Sequence, residues 1–405
     1  MVCEKNADVI HDFSTDPLAL YVEDGWLRAR GTTLGADDGV AVAIMLTLLD
    51  DSNLAHPPLQ CLFTSAEEVG MGGVENFDFS RITARQMINL DSPDELQIIA
   101  GCAGGLYSSM TVSTQTVPTQ GVPLCITVRG LAGGHSGEDI HRNRANAIRI
   151  LGRILLAISM KTPMGVISCR GGNKHNAIPR EAEATVAVES REIAERAIAS
   201  CEALLRNELV TEDSNFSICV TENAAAHDRM LSVVDTERTM CVLLQTPSGV
   251  LARNRVLGNA VDLSCNLGLL ATHHNGTKTT VTLRLFSRSS EEDLLDTMSA
   301  NLSLMGRTIG AEVEHTFRYS GWQYEPHSTI REAFIASAEA VCQKTPSVTV
   351  IHAGLECGTV KQRIPDMDII SCGPQVKNLH SPAEALHLAS FSQFFAIMEH
   401  LLKNL

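Results

Sequence analysis

The chain changes character twice, and these two points limit the folds that are open to it. The first is the glycine-rich segment Gly101-Cys102-Ala103-Gly104-Gly105, and the second is Gly321-Trp322. Outside these points, short helical and strand patterns alternate, as is typical of an α/β sheet. Between them run longer α+β series. We therefore expect an α/β domain formed by residues 1–106 and 319–405, interrupted by an inserted α+β domain at 107–318.

The hydrophobic periodicity predicts individual elements in both parts. In the outer segments it predicts helices over 39–49, 330–344 and 391–402, and strands over 59–64, 87–90, 97–100, 348–352 and 367–372. In the insert it predicts strands over 124–128, 184–188, 216–220, 261–266, 279–285 and 312–317, and helices over 146–160, 194–206, 236–245 and 291–305. The insert reads as two similar rounds, which favours a doubled α+β unit.

Composition excludes several classes of function. With 405 residues, 44% of them apolar and 20% charged, the chain can bury a sizeable core. A net charge of −15 argues against a surface that follows nucleic-acid phosphates. The longest apolar run, Val40 to Leu49, is too short to span a membrane, and the N-terminus lacks a signal-peptide pattern. Twelve cysteines without a C-x-x-C pair disfavour a zinc ribbon. We expect a cytoplasmic protein with no nucleic-acid or membrane partner.

Two adjacent carboxylates, Glu67 and Glu68, follow the apolar run 59–63. Where a strand runs into a loop, successive side chains point to opposite sides. One glutamate can then bind a metal while its neighbour faces a water held by that metal. This division of labour is what hydrolysis requires.

Further ligand types occur at comparable positions. Asp37 opens a predicted helix, Asp91 follows a predicted strand, and His380 lies in a loop near the C-terminus. Oxygen ligands with one imidazole suit zinc, manganese or cobalt, and two ions can share a carboxylate such as Asp37. Paired ions acidify a water and polarise a carbonyl, which amide hydrolysis needs at neutral pH. Glu67 would then take the proton of that water and pass it to the leaving amine.

Each of these residues also has a purely structural interpretation. A Glu-Glu pair is typical of a solvated turn, and Asp37 with Asp38 could cap the following helix. Asp91 could be a turn residue beside Pro93, and His380 a surface histidine. It is the whole set, each member at the end of a strand or the start of a helix, that favours a catalytic metal site.

The chain resembles the aminoacyl-histidine dipeptidases, which belong to the co-catalytic metallopeptidase family that includes carboxypeptidase G and the aminoacylases. The resemblance runs over nearly all of the chain. It is carried by Ala29-Arg30-Gly31-Thr32-Thr33-Leu34-Gly35-Ala36-Asp37, Gly101-Cys102-Ala103-Gly104-Gly105, Gly133-Gly134-His135-Ser136-Gly137, Asn176-Ala177-Ile178-Pro179-Arg180-Glu181 and Ile351-His352-Ala353-Gly354-Leu355-Glu356-Cys357-Gly358.

This resemblance implies a zinc-peptidase α/β core interrupted by a lid, with two Zn²⁺ ions per active site, or Mn²⁺ or Co²⁺. It implies that Asp37 bridges the ions, that Glu68 and His380 hold one, that Asp91 holds the other, and that Glu67 is the general base. His135 would stabilise the tetrahedral oxyanion. Asn176, Arg288 and Glu356 match positions that contact the ends of a substrate. For two of these, structural alternatives stay open: Asn176 could fix a turn before Pro179, and Arg288 could pair with Glu291 or Glu292.

The chain departs from the family in one motif. Relatives carry His-x-Asp on a strand of the catalytic domain, and its histidine binds the same ion as Asp91. No His-x-Asp occurs in this sequence, which begins at the Met that would follow it. We therefore expect an N-terminally truncated core that lacks the first strands and helix, with one dominant ion. Neither His11 nor His56 lies in a matching context.

The predicted function is metal-dependent hydrolysis of dipeptides, with either Xaa-His or broad specificity. The alternative is a catalytically impaired remnant, or a gene model begun at an internal Met. A cysteine or serine hydrolase is a weaker interpretation, because no Gly-x-Ser-x-Gly occurs and Cys357 lacks an activating signature. A doubled lid would supply its residues within one chain, whereas a half-size lid would require a partner subunit in a homodimer.

Overall fold

A computed structural model describes residues 1–222, 228–255, 257–258, 260–275 and 278–405 of the chain. The chain divides into two compact units. Unit 1 joins Met1–Cys102 to Gly321–Leu405, and unit 2 comprises Ala103–Ser320. The boundaries expected from the sequence, 106/107 and 318/319, lie a few residues away. That unit 2 acts as a lid stays a prediction.

The elements of both units follow in chain order. Unit 1 begins with β1 (Leu20–Glu23), β2 (Trp26–Ala29), α1 (Ala36–Asp50), α2 (Gly72–Glu75), β3 (Gln86–Asn89) and β4 (Gln97–Cys102). Unit 2 contains β5 (Gly104–Pro118), β6 (Val122–Arg129), β7 (Gly134–His135), α3 (Ala147–Ser159), β8 (Met164–Gly171), β9 (Ala177–Ile178), β10 (Ala182–Val188), α4 (Arg191–Glu208), β11 (Ser217–Glu222), β12 (Arg229–Leu231), α5 (Val233–Gln245), β13 (Gly249–Arg253), β14 (Val261–Asn275), β15 (Lys278–Ser289), α6 (Glu292–Ile309) and β16 (Ala311–Tyr319). The chain returns to unit 1 with α7 (Thr329–Cys342), β17 (Ser347–Ile351), α8 (Glu356–Arg363), β18 (Asp368–Ser371), β19 (Val376–Lys377), β20 (Ala385–His387) and α9 (Leu388–Asn404).

The main sheet of unit 1 has the strand order β17-β4-β18-β3, and helices cover both of its faces. Neighbouring residues on a strand point to opposite faces. Ile98 and Ile370 are accordingly buried in a core with α1, α7 and α9, while Ile99 and Ile369 are buried in a second core with α8. A mostly parallel sheet covered on both faces is the expected α/β arrangement. A smaller sheet of unit 1 has the order β1-β2-β20-β19.

The predicted helices and strands overlap the observed elements, with one exception. The strand expected over 59–64 is wrong, because this segment is not part of any sheet among the described residues. An apolar run forms a strand only where a neighbour offers a backbone ladder. Here a side chain makes the contacts to the nearby segment at residues 83–84 instead. Oε1 of Gln60 accepts from the backbone N–H groups of Thr83 and Ala84.

Unit 2 repeats one arrangement about a central strand pair. Its first half runs β6-α3-β8-β10-α4-β11, and these strands lie in the order β11-β6-β10-β8. Its second half uses β5, α5, β14, β15, α6 and β16, with the strands in the order β14-β15-β5-β16. The orders mirror each other across the β8–β14 pairing. The doubled α+β unit predicted from the periodicity is therefore seen in the strand order, with β5 supplying the first strand of the second half.

The described residues also bear on the expectations about membrane helices and cysteines. Among them, no helix combines the length and the apolarity needed to cross a membrane. All twelve cysteines are free thiols, and half of them are buried.

Candidate active site

Two carboxylates and one imidazole converge in unit 1. Nε2 of His380 lies 2.8 Å from Oδ2 of Asp37 and 3.0 Å from Oε1 of Glu68. One ligand atom from each of the three residues lies within 4.8 Å of the others. A catalytic zinc site takes three protein ligands of these types. The structure thus brings together the three residues that the family resemblance places on one ion, and we call them the acidic cluster.

The start of α1 separates the roles of two neighbouring aspartates. Asp37 and Asp38 both have non-helical backbone angles, and the peptide bond between them is cis. Oδ1 of Asp38 accepts a hydrogen bond from the backbone N–H of Ala41 at 3.1 Å, a contact that caps the helix. Asp37 instead faces His380. The capping interpretation therefore fits Asp38 and not Asp37.

A tight loop carries Glu67 and Glu68. The backbone N–H of Gly73 donates to the carbonyl of Ser65 at 2.8 Å. A Cβ on Gly73 would lie 2.3 Å from that carbonyl oxygen, so the loop closes only with glycine at this position. Glu68 points to His380, whereas Glu67 lies outside the acidic cluster. The two neighbours therefore diverge, although they leave a loop and not the predicted strand.

The environment of Glu67 suits proton transfer. Burial raises the pKa of Glu67 to about 7, and the charges of Glu68 and Glu356 add to this effect. A general base works best when its pKa lies near the working pH. Glu356 itself begins α8, where its Oε2 accepts from Oγ1 of Thr64 at 2.9 Å. Its other oxygen, Oε1, is buried and has no hydrogen-bond partner among the described residues.

Asp91 lies beside the acidic cluster but is not a member of it. Its backbone is fixed at the end of β3, because its N–H donates to Oδ1 of Asn89 and its carbonyl accepts from Oγ of Ser371. Burial raises the pKa of Asp91 well above its usual range, with further contributions from the charges of Asp37 and Asp38.

The positive charge near these carboxylates compensates them only in part: the N-terminus lowers the pKa of Asp38 and His380 lowers that of Glu67, but burial and neighbouring acids outweigh both. Burial raises the pKa of Asp38 to about 7 and also raises the pKa of Glu356. A cluster of carboxylates that disfavours its own ionisation is stabilised by a cation placed among them. The residues present therefore fit a divalent metal. The two histidines considered as substitute ligands do not join them: His11 packs on Phe13, and Nδ1 of His56 contacts the carbonyl of Pro57.

In unit 2, His135 is held as a neutral hydrogen-bond donor. Its Nδ1 accepts from the backbone N–H of Glu138 at 3.2 Å. A neutral imidazole that accepts at Nδ1 carries its proton on Nε2. Burial lowers the pKa of His135, and the charge of Arg288 lowers it further. Nε2–H is thus available to donate to another group.

The loop around His135 is braced by charged groups. Oδ2 of Asp139 accepts from the backbone N–H of His135 at 2.9 Å. Arg144 pairs with Asp139 at 3.2 Å and also with Glu212. Gly134 has φ of 138°, and a Cβ there would lie 2.8 Å from Cβ of Asp139, so glycine is required where the loop meets its brace.

Arg288 lies on β15 among aromatic rings. Its guanidinium stacks 4.2 Å from the ring centroid of Phe286, and its Nη1 donates to the hydroxyl of Tyr319 at 3.0 Å. The residue is only 5% exposed, and its Nε has no hydrogen-bond partner among the described residues. Glu292, one of the acids considered for Arg288, pairs with Arg318. Arg288 is therefore a buried cation with unused donor capacity.

Asn176 is the third predicted residue in this part of unit 2. Its backbone carbonyl accepts from the N–H of Ser136 at 2.9 Å, next to His135. The adjoining pairs 134–135 and 177–178 form the short β7–β9 ladder. Asn176 and His135 are therefore neighbours, and Arg288 acts electrostatically on His135.

The structure also decides the role of a cysteine that the sequence analysis considered as a nucleophile. Cys357 is fully buried, and burial raises the pKa of its thiol well above the usual range, which contradicts a nucleophilic role.

Glu384 was not singled out from the sequence, yet its buried carboxylate accepts hydrogen bonds from the three backbone N–H groups of residues 34, 35 and 37. A buried acid in a loop has no periodic signature that would have revealed it.

Comparison with known proteins shows which family this chain is similar to. The profile of Peptidase family M20/M25/M40 matches residues 5–404. The cytosol non-specific dipeptidase of Escherichia coli is 35% identical over 410 aligned residues, which cover 100% of this chain and 83% of that protein.

Solved structures give the same picture. The aminoacylhistidine dipeptidase from Vibrio alginolyticus matches with a TM-score of 0.92 and 33% identity, over 100% of this chain and 82% of that one. A tripeptidase from Staphylococcus aureus matches with a TM-score of 0.52 and 14% identity, covering 96% of this chain and 76% of that one. This last likeness concerns the fold alone.

Proposed function

Because the chain belongs to Peptidase family M20/M25/M40, we propose that it hydrolyses dipeptides with a divalent metal held by the acidic cluster. The observation that carries the proposal is the convergence of Asp37, Glu68 and His380 in unit 1, surrounded by carboxylates with raised pKa values. Two relatives, a cytosol non-specific dipeptidase and an aminoacylhistidine dipeptidase, support the reaction class.

The metal ligands would be Asp37, Glu68 and His380, with Asp91 on a second ion that it shares with Asp37. A divalent ion bound there supplies a Lewis acid that polarises the scissile carbonyl and lowers the pKa of a water. We propose Zn²⁺, which suits this ligand set, with Mn²⁺ or Co²⁺ as substitutes.

We propose one dominant ion per chain. Three protein ligands serve the first ion, whereas only Asp37 and Asp91 are assigned to the second, and zinc sites normally have at least three. Elemental analysis of dialysed protein should therefore give about one tightly bound zinc per chain, following the three-ligand rule. Two tightly bound ions would show that a further residue ligates.

Glu67 is the proposed general base. Its carboxylate takes a proton from the attacking water and returns it to the nitrogen of the leaving amine as the C–N bond breaks. The raised pKa favours both transfers near neutral pH. His135 is the proposed donor to the oxyanion, through the Nε2–H that its contact with Glu138 leaves available.

Glu356 in unit 1 and Arg288 in unit 2 are each proposed, taken separately, as a contact for one charged end of a dipeptide. The unpaired Oε1 of Glu356 can accept a hydrogen bond from an ammonium group, and the unused Nε–H of Arg288 can donate to a carboxylate. Asn176 is proposed as a further substrate contact. The chain would then cleave dipeptides with two free ends, with either Xaa-His or broad specificity.

The test compares free and blocked dipeptides. Zinc-loaded protein should hydrolyse Ala-His and Ala-Ala, lose the activity with a chelator, and regain it when Zn²⁺ is added. N-acetylated and C-amidated forms of the same dipeptides should be cleaved poorly, because each removes one charged end. A folded, zinc-loaded protein that leaves the free dipeptides intact would contradict the proposal and favour the impaired remnant.

A cytoplasmic location is proposed from the name of the Escherichia coli relative, a cytosol dipeptidase. A homodimer stays a prediction, which light scattering on the purified chain tests. In the described part of unit 2, the mirrored strand order favours a lid that is doubled within one chain.

A further inference from the structure

Glu384 makes an unusual set of contacts for a buried acid in unit 1. Its side chain belongs to a residue that is only 2% exposed. Oε2 accepts from the backbone N–H groups of Leu34 at 2.8 Å and Gly35 at 2.9 Å, and Oε1 accepts from that of Asp37 at 3.1 Å. Hydrogen bonds to a charged acceptor are about twice as strong as neutral ones. The carboxylate therefore fixes the backbone that carries Asp37.

The same turn presents His380 to Asp37. The N–H of Glu384 donates to the carbonyl of Ser381 at 3.0 Å, and Oγ of Ser381 donates to the carbonyl of Asn378 at 2.7 Å. His380, with φ of 59°, stands at the exposed side of this turn, and its Nε2 lies 2.8 Å from Oδ2 of Asp37. One turn thus holds Asp37 twice, through its backbone and through its side chain.

Helix capping alone does not explain these contacts. Helix α1 begins at Ala36, so two of the three bonded N–H groups, those of Leu34 and Gly35, precede it. The regular part of the helix, which follows the non-helical Asp37 and Asp38, already has a side-chain cap, because Oδ1 of Asp38 accepts from the N–H of Ala41. The contacts of Glu384 are directed at the segment that leads into Asp37.

We propose that Glu384 is a positioning residue of the metal site, which holds Asp37 at the distance from His380 that a shared ion requires. This inference rests on the proposed function, in which Asp37 and His380 are ligands. Partners that orient metal ligands typically contribute a factor of about 10–100 in metal affinity.

Replacing Glu384 by Gln gives a specific change at Asp37. An amide has one oxygen, so if that oxygen keeps Leu34 and Gly35, its NH₂ group faces the N–H of Asp37, and two donors meet. In the opposite orientation Leu34 and Gly35 lose their acceptor. Glu384→Asp retains the charge on a shorter side chain and is the conservative variant.

Asp368 offers a matched control in the same unit. Its Oδ2 accepts from the backbone N–H of Ile330 at 3.0 Å and from Oγ1 of Thr329 at 2.9 Å, at the start of α7. It caps a helix without holding a proposed ligand. Asp368→Asn therefore measures the cost of losing an acidic contact with backbone, separately from any effect on the metal site.

The experiment measures Zn²⁺ affinity by competition with a chromophoric chelator, together with hydrogen exchange of the metal-free full chain. Glu384→Gln should bind Zn²⁺ about 10–100-fold more weakly than wild type, and peptides covering 34–37 should exchange faster. Glu384→Asp should lie between the two, and it decides the question if Glu384→Gln does not fold. Asp368→Asn should keep wild-type Zn²⁺ affinity and exchange faster only near 329–330.

Each remaining outcome is decisive. Wild-type Zn²⁺ affinity in folded Glu384→Gln or Glu384→Asp would overturn the role of Glu384 and leave the proposed metal site standing. An equal loss of affinity in Asp368→Asn would also overturn it, since the effect would then be general destabilisation. If His380→Ala binds Zn²⁺ as tightly as wild type, or if wild type does not bind Zn²⁺, the proposed metal site fails first.

Discussion

The carboxylates that surround the acidic cluster in unit 1 and the histidines that surround Arg288 in unit 2 are electrostatic opposites. In unit 1, burial raises the pKa values of Glu67 and Asp91, and neighbouring carboxylates raise them further. In unit 2, burial lowers the pKa values of His135 and His175, and Arg288 lowers them further. Burial disfavours charge in both places. The sign of the fixed neighbours differs, so the first region is suited to a cation and the second to an anion.

This contrast also separates two ways of building a site. The acidic cluster uses side chains from three segments of the chain, and its two carboxylates are held near each other through the imidazole of His380. His135 instead lies in a loop that is braced by Asp139 and Arg144. We infer that a cation would complete the charge balance of the first region, whereas the charged groups that brace the second region already pair with each other.

The largest expected effect concerns the two adjacent glutamates. Glu67→Gln should lower kcat by about 10²–10⁴-fold with zinc content unchanged, because Gln keeps the shape but cannot accept a proton. Glu68→Ala should lower the zinc content itself. Steady-state kinetics and elemental analysis on the same preparations check both. Equal zinc loss in the two variants would reverse the assignment of the neighbours.

The next effect tests the role of the neutral histidine. His135→Ala should lower kcat with little change in KM, since its donor would meet charge that develops only in the transition state. A single oxyanion donor is worth roughly 3–4 kcal/mol. If folded, zinc-loaded His135→Ala retains the wild-type kcat, the loop at 133–137 is structural only.

Removing the positive charge of Arg288 should reduce the electrostatic difference between the two regions. Arg288→Met should lower kcat/KM about 10–100-fold, in line with the loss of a charged hydrogen bond. It should also raise the pKa values of His135 and His175, because Arg288 lowers both. Arg284→Met is the matched control on the same strand: Arg284 acts on His175 only, so the pKa of His135 should not move.

NMR titration of the histidines reads out this comparison. An unchanged pKa of His135 in Arg288→Met would remove the electrostatic link between the two residues. A change of similar size in Arg284→Met would show that the link is not specific to Arg288.

The smallest effect is the pH dependence of stability in the metal-free protein. The folded pKa values of Asp38 and Glu67, about 7, lie above their unfolded values near 3.8 and 4.5. These groups therefore contribute stability that is complete below pH about 4 and is lost as the pH rises to about 7. The slope is at most about 1.4 kcal/mol per pH unit per group, less where solvent screens the charge. Thermal unfolding with a chelator checks this. Bound Zn²⁺ should reverse the trend, because ligation favours the deprotonated acids.

Much of the site could be predicted because its residues sit next to regular elements. Asp37 precedes the helix predicted from 39, and Asp91 follows the strand predicted over 87–90. The family resemblance was confirmed by the full-length match. The roles of the individual site residues stay predictions, although the structure brings Asp37, Glu68 and His380 together.

The rest depends on contacts that a sequence does not display. Strand β5 was missed because two polar residues interrupt its buried apolar face: Ser108 bonds to His315, and Thr114 bonds to the carbonyl of Thr279. Because these two buried residues are polar, the alternation of apolar and polar residues that marks a strand is not visible in the sequence. The strand expected over 59–64 fails for the opposite reason, since apolar residues there find no partner strand.

The most direct test is an anomalous difference map at the zinc edge from crystals grown with Zn²⁺. We expect a peak in unit 1 within about 2.0–2.2 Å of Nε2 of His380 and of carboxylate oxygens of Asp37 and Glu68. No peak should lie beside Arg288. A map without density at the acidic cluster, or with zinc bound only elsewhere on the chain, would contradict the assignment of this region as the metal centre.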